Sequence, residues 1–280
     1  MIRTIVNAFN PLPTQDGAGV KIKRVFPIAE IDNIDPFLLL DHFGSKNSSD
    51  FIAGFPMHPH RGIETVTYML EGSLSHSDST GRKGTIATGG VQWMSAGRGI
   101  MHEEMPHENN GSLNGFQLWV NLPASEKMKK PQYQEYDAKE ITKFTHDGNE
   151  IVLISGSLLG KEGAIKEVST LPLYADISLN DGILELDLPK AHHAFFYLFE
   201  GETSVLSEDG SMQSVQAPKL VVLSEGESLS FSTPTHARLM LAAAQKINEP
   251  IERWGPFVMN TKEEIKQTLA EVHSRTFPPK

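Results

Sequence analysis

Tyr68-Met69-Leu70-Glu71-Gly72 recurs as Tyr197-Leu198-Phe199-Glu200-Gly201, an offset of 129 residues. Ser95-Ala96-Gly97 and Ser224-Glu225-Gly226 stand at the same offset, so the two segments run in step for about 30 residues without net insertion. Each copy is an aromatic and aliphatic run closed by glycine, the pattern of a strand entering a turn. Two matches at one offset predict two related β-domains.

Outward from these copies, strand signals dominate. TVTYML, FQLWVNL, IVLISG, FFYLF and LVVLS are short β-branched or aromatic runs separated by polar clusters such as SDSTGRKG and SEDGS. Two stretches read as peripheral helices. One lies near Ser125 to Lys130, and the other runs from Thr261 to about His273, with Glu263 and Glu264 in the first turn and Ile265, Leu269 and Val272 at helical spacing. A linker is expected between Pro131 and Asn149, which divides the chain into domains 1–135 and 136–280.

The chain has 280 residues, twice the common domain size, and a 39% apolar share typical of a folded protein. A formal charge of -10 with no visible basic stripe argues against direct nucleic-acid contact. No apolar run reaches the roughly 20 residues of a membrane helix, and the opening MIRTIVNAFNPLP lacks the pattern of a signal peptide, so a cytoplasmic address without membrane partners is expected. Cysteine is absent, which excludes disulfides, thiolate metal sites and cysteine nucleophiles. Any metal site is therefore built from His, Asp and Glu.

His58-Pro59-His60 supplies the first pair of such ligands. Proline favours extended geometry in the residue before it, and in an extended chain side chains i and i+2 share a face. His102-Glu103-Glu104 supplies the second pair, because the same alternation turns His102 and Glu104 to one side and Glu103 to the other. His58, His60, His102 and Glu104 thus form a candidate site of three imidazoles and one carboxylate within one domain. Glu64, at even spacing from His60, is the alternative carboxylate or a supporting partner, although Gly62 disturbs the alternation. Adding 129 to the four positions gives Asp187, Pro189, Phe231 and Thr233, so the second domain is expected to be metal-free.

Other histidines read differently. HEEMPH (102–107) is no zincin helix, since Pro106 stands where the second histidine would be. His107, His146 and His273 read as surface residues, and His42 as a hydrogen-bonded structural histidine, with a place in the pocket lining as the alternative.

At these residues the chain resembles the pirin family of the cupin superfamily. The resemblance is carried by DPFLLLDHFG (35–44), FPMHPHRGIETVTYMLEGSLSHSDSTG (55–81), GGVQWMSAGRGIMHEEMP (89–106), FQLWVNLP (116–123) and GPFVMNT (255–261). The general cupin motif is met only loosely, and the carboxylate following the third histidine is the pirin variant. The resemblance implies an all-β bicupin of two jelly-roll barrels, with metal on His58, His60, His102 and Glu104 of the N-terminal one. It also implies one divalent metal per chain, with Fe(II) favoured; manganese, nickel, copper and zinc accept the same ligands.

Some bacterial pirins are similar to quercetin 2,3-dioxygenases. The resemblance therefore implies a dioxygenase that cleaves a flavonol such as quercetin with O2 and releases carbon monoxide, with Glu104 as base and Phe43, Phe55 and Met57 as pocket wall. The alternative, from eukaryotic pirins linked to transcription regulators, is an iron-binding regulatory module acting through a protein partner.

Overall fold

In the computed structural model, which describes residues 1–107 and 111–279, Tyr68 lies in strand Ile63–Glu71 and Tyr197 in strand His193–Leu206. Tyr68 pairs antiparallel with Val91 and Tyr197 with Leu220; Val66 pairs with Trp93 and Phe195 with Val222. Both partners of each pair keep the offset of 129, so the repeat read from the sequence is a repeat of strand register. Gly72 follows its strand and Gly201 stands at an irregularity within its own, with φ of +84° and +75°, a region that a β-carbon disfavours. All five strand runs of the sequence reading coincide with observed strands, three of them overrunning the strand end by one residue.

The chain forms two compact units, and each is assembled from segments that are not contiguous in sequence. One comprises Met1–Leu12, Ile28–Asp35 and Lys139–Lys246; the other comprises Pro13–Pro27, Pro36–Ala138 and Ile247–Lys280. They are therefore not the contiguous segments 1–135 and 136–280. Strand Ile5–Phe9 pairs with Lys219–Leu223, which takes the N-terminus to the first of these units. The stretch expected as linker also differs, since it holds two strands. Gln132–Tyr136 pairs with Val91–Ser95, and Thr142–His146 pairs with Asn149–Ser155, where partly buried Phe144 packs on the core.

In the unit containing residues 139–246, the long strands Leu173–Asp187, His193–Leu206 and Ser228–Ala244 lie side by side and are interrupted by bulges. Their interior is apolar, and Phe231 is fully buried there with its ring 5.2 Å from that of Phe196. Counting 129 residues on from His102 thus reaches a core phenylalanine.

The other unit has two main sheets, beside the two-stranded pair Glu252–Trp254 and Phe257–Met259. The larger runs in the order Gln132–Tyr136, Val91–Ser95, Ile63–Glu71, Leu113–Asn121, Phe37–Ser45, Val20–Phe26, Leu12–Asp16. The smaller runs Phe55–His60, Ile100–Pro106, Ser73–Asp78, Lys83–Ala87. Helix Lys262–His273 has the predicted start, with Thr261 and Glu264 forming a reciprocal capping box. Over Ser125 to Lys130 no α-helix forms, only the 3-10 turn Ala124–Glu126. There the buried Lys127 ammonium turns inward to donate to Gly62 O (2.9 Å), Asn121 Oδ1 (2.7 Å) and Val258 O (3.0 Å). No helix among the described residues is long and apolar enough to cross a membrane.

Candidate metal centre

Strands Phe55–His60 and Ile100–Pro106 pair antiparallel with His102 opposite His58 and Met101 opposite Pro59. Along Ile100–Pro106 burial alternates strictly, with His102 and Glu104 inside and Glu103 partly exposed, accepting from Ser77 Oγ at 2.6 Å. Parity and pairing together bring the three histidines into one cluster, whose ligand nitrogens all lie within 4.8 Å of one another.

The His58 and His60 pair has the spacing of two ligands on one cation. His58 Nε2 and His60 Nε2 are 3.0 Å apart. Two nitrogens each about 2.1 Å from an ion and at right angles around it stand at about that separation. His58 Nδ1 lies 2.9 Å from Pro56 O, and because a carbonyl only accepts, the ring proton is on Nδ1 and the Nε2 lone pair faces the cluster. Both ring nitrogens of His102 are buried without a hydrogen-bond partner among the described residues, a costly arrangement that an ion relieves. Burial, and then the charge of neighbouring imidazoles, holds His60 and His102 well below the usual histidine range. They are neutral ligands at pH 7, so these residues fit a transition metal.

Glu104 is 5% exposed and lines the same cavity as His58 and His60, although its carboxylate lies outside the tight histidine cluster. Thr67 Oγ1 stands 3.0 Å from Glu104 Oε1 and 2.8 Å from the Gln117 amide. One hydroxyl has one proton, so Thr67 donates to either Gln117 Oε1 or Glu104 Oε1, and an ionised Glu104 is the stronger acceptor of the two. Burial pushes the Glu104 carboxyl above its usual range, opposed by His58, Thr67 and His76.

Glu64 is turned elsewhere. Gly62, with φ of +77°, carries the chain from the smaller sheet to the larger, so even spacing from His60 no longer means a shared face. Fully buried Glu64 accepts from Trp93 Nε1 at 3.0 Å and from Lys129 Nζ at 3.2 Å. His42 Nε2 bonds Asn114 Oδ1 at 2.9 Å, the structural role expected of it.

The histidine cluster opens on a cavity of about 530 Å3 walled by Ile22, Leu39, Phe43, Phe55 and Trp119, within the size range of small-molecule sites. Phe43 and Phe55 are the expected wall. Met57 is not part of it; one residue from His58, it faces outward and is 46% exposed.

Several residues of the site escaped the sequence reading. Arg61, 2% exposed, donates to Arg98 O (2.7 Å), Thr268 Oγ1 (2.8 Å) and the Glu271 carboxylate, tying the residue next to His60 to the C-terminal helix. His76 stands opposite Glu104 in register and bonds Glu135 at 2.8 Å. The alternation of Ser73-Leu74-Ser75-His76-Ser77-Asp78 was the available signal for His76. Nothing local marks Arg61, whose partners are distant in sequence, or Arg253, another cavity residue, whose aromatic partner Trp119 is equally distant.

The family model described as Pirin matches residues 19–120, and that of the Pirin C-terminal cupin domain matches residues 174–278. A pirin-like protein of Caulobacter vibrioides is 41% identical over 99% of both chains. Human pirin is 40% identical over 91% of this chain and 87% of its own. The structure of a quercetin 2,3-dioxygenase from Acinetobacter baumannii superposes with a TM-score of 0.90 at 32% identity, covering 99% of each chain. The architecture is therefore an all-β bicupin.

Proposed function

The chain belongs to the pirin family, and from that premise we propose that it is a metal-dependent dioxygenase cleaving a flavonol such as quercetin with O2 and releasing carbon monoxide. The observation that carries this reading is the histidine cluster beside a cavity with aromatic and aliphatic walls, large enough for a flat aromatic molecule. The likeness to the Acinetobacter baumannii quercetin 2,3-dioxygenase supports it.

In this reading His58, His60, His102 and Glu104 hold one divalent ion, with Fe(II) as the favoured metal. Such an ion supplies positive charge that favours deprotonation of a nearby enol and its reaction with dioxygen. Glu104 accepts the flavonol 3-hydroxyl proton, and its burial strengthens it as a base near neutral pH. Thr67 holds one Glu104 oxygen in place, while Phe43, Phe55 and Leu39 exclude water from the reacting face. Both atoms of O2 end in the ring-opened product, and the carbon that bore the 3-hydroxyl leaves as carbon monoxide.

Oxygen uptake by metal-loaded protein tests the proposal. Quercetin is consumed, whereas the matching flavone, which lacks the 3-hydroxyl, is inert. No turnover with iron, manganese, nickel or copper would return the chain to the regulatory reading, in which the same metal site governs a protein partner.

A further inference from the structure

The walls near the metal cluster are apolar, but the cavity also meets four charged side chains besides Glu104: Asp16, Arg24, Asp41 and Arg253. Arg24 is committed within this group. Its Nε and a terminal nitrogen grip Asp41 at 2.9 and 2.7 Å, and that nitrogen also meets Asp16 at 2.9 Å. Arg253 is placed differently, on the exposed strand Glu252–Trp254, with its guanidinium carbon 5.1 Å above the Trp119 ring and its Nε donating to Gly255 O at 3.2 Å. Trp119 in turn meets the ligand His60 edge to face, with centroids 5.0 Å apart.

One indole therefore separates the cation from the metal ligand. A flavonoid with its 3-oxygen at the histidines and its rings along the Trp119 wall would bring an outer hydroxyl toward the guanidinium. Burial holds Asp41, on the wall of this cavity, above its usual range; Arg24 opposes that most, and the Arg253 charge adds a smaller pull toward the deprotonated form. A phenol at the same place feels the same pull. In a chain of net charge -10 such a local cation also offsets the repulsion of an anionic ligand.

We propose that Arg253, stacked on Trp119, is a specificity residue that selects aromatic substrates carrying an acidic hydroxyl on a ring remote from the metal-binding oxygens. This rests on the flavonol reading of the cavity.

The test is anaerobic absorbance titration of zinc-supplied protein with quercetin and with 3-hydroxyflavone, which keeps the metal-binding oxygens but lacks the outer hydroxyls. The wild type binds quercetin about tenfold more tightly, as expected for one charge-assisted contact, and shows the red-shifted band of its anion. Arg253→Gln abolishes the preference and the band while leaving 3-hydroxyflavone affinity within about twofold; Arg253→Lys, which keeps the charge, retains the band. An unchanged preference in Arg253→Gln overturns the proposal. So does an equal loss for both ligands, which marks Arg253 as a prop for Trp119. Wild-type protein that binds neither ligand overturns the flavonol reading together with this one.

Discussion

Gly62 approaches Val258 so closely that a β-carbon at residue 62 would stand 2.0 Å from the Val258 carbonyl oxygen. This contact presses the segment Phe257–Met259 onto the turn that follows His60. Gly148 has the same φ of +77° but nothing within 4 Å of its virtual β-carbon. Gly148→Ala should therefore cost only the backbone strain, about 1 kcal/mol, and Gly62→Ala at least about 2 kcal/mol more with weakened metal binding. Denaturant unfolding of both variants measures the difference, and equal costs would show that the contact is immaterial.

Thr67→Val keeps the shape of the side chain and removes the proton donated to Glu104. Metal affinity should fall about 10- to 100-fold, the usual cost of losing a partner of a metal ligand, with the fold intact. Thr67→Ser should restore most of it. A chelator competition titration decides, and unchanged affinity in Thr67→Val would detach Thr67 from the site.

Strand parity makes a paired prediction. Glu104→Ala should weaken metal binding, whereas Glu103→Ala, which loses only its surface bond to Ser77, should leave it nearly unchanged. Metal analysis after dialysis compares them. Equal losses would contradict the alternation, and loss in Glu64→Ala alone would move the carboxylate role to Glu64.

How much of this was legible beforehand follows from the range of each interaction. The repeat at 129 residues and the two pairs His58/His60 and His102/Glu104 were readable because parity along one strand is local. Whether Glu64 joins them was not readable, because the answer depends on Gly62 moving the chain between sheets. The helical reading near Ser125 failed for a similar reason, since Lys127 finds acceptors at Gly62 and Val258, far away in sequence. The exchange of terminal segments depends on pairings such as Ile5 with Leu223, to which no local pattern points.

Burial lowers the His42 pKa to about 4, a shift that its bond to Asn114 only partly opposes. The unfolded chain binds this proton near pH 6.5, so between about 6.5 and 4 it holds more protons than the folded one. The stability gained from keeping His42 neutral is complete above pH 6.5 and is lost as pH falls through that window. His42→Gln should flatten this part of the stability profile. Parallel profiles for wild type and variant would show that His42 does not titrate differently on folding.

The central claim is tested most directly by carbon monoxide release from quercetin, measured for wild type and Glu104→Gln at equal metal content. The account predicts one carbon monoxide per quercetin and per O2 consumed by the wild type, and a rate lower by about 10²-fold or more in the variant, as expected when a general base is lost. Metal-loaded wild type that releases no carbon monoxide, or a Glu104→Gln variant as fast as the wild type, would contradict it.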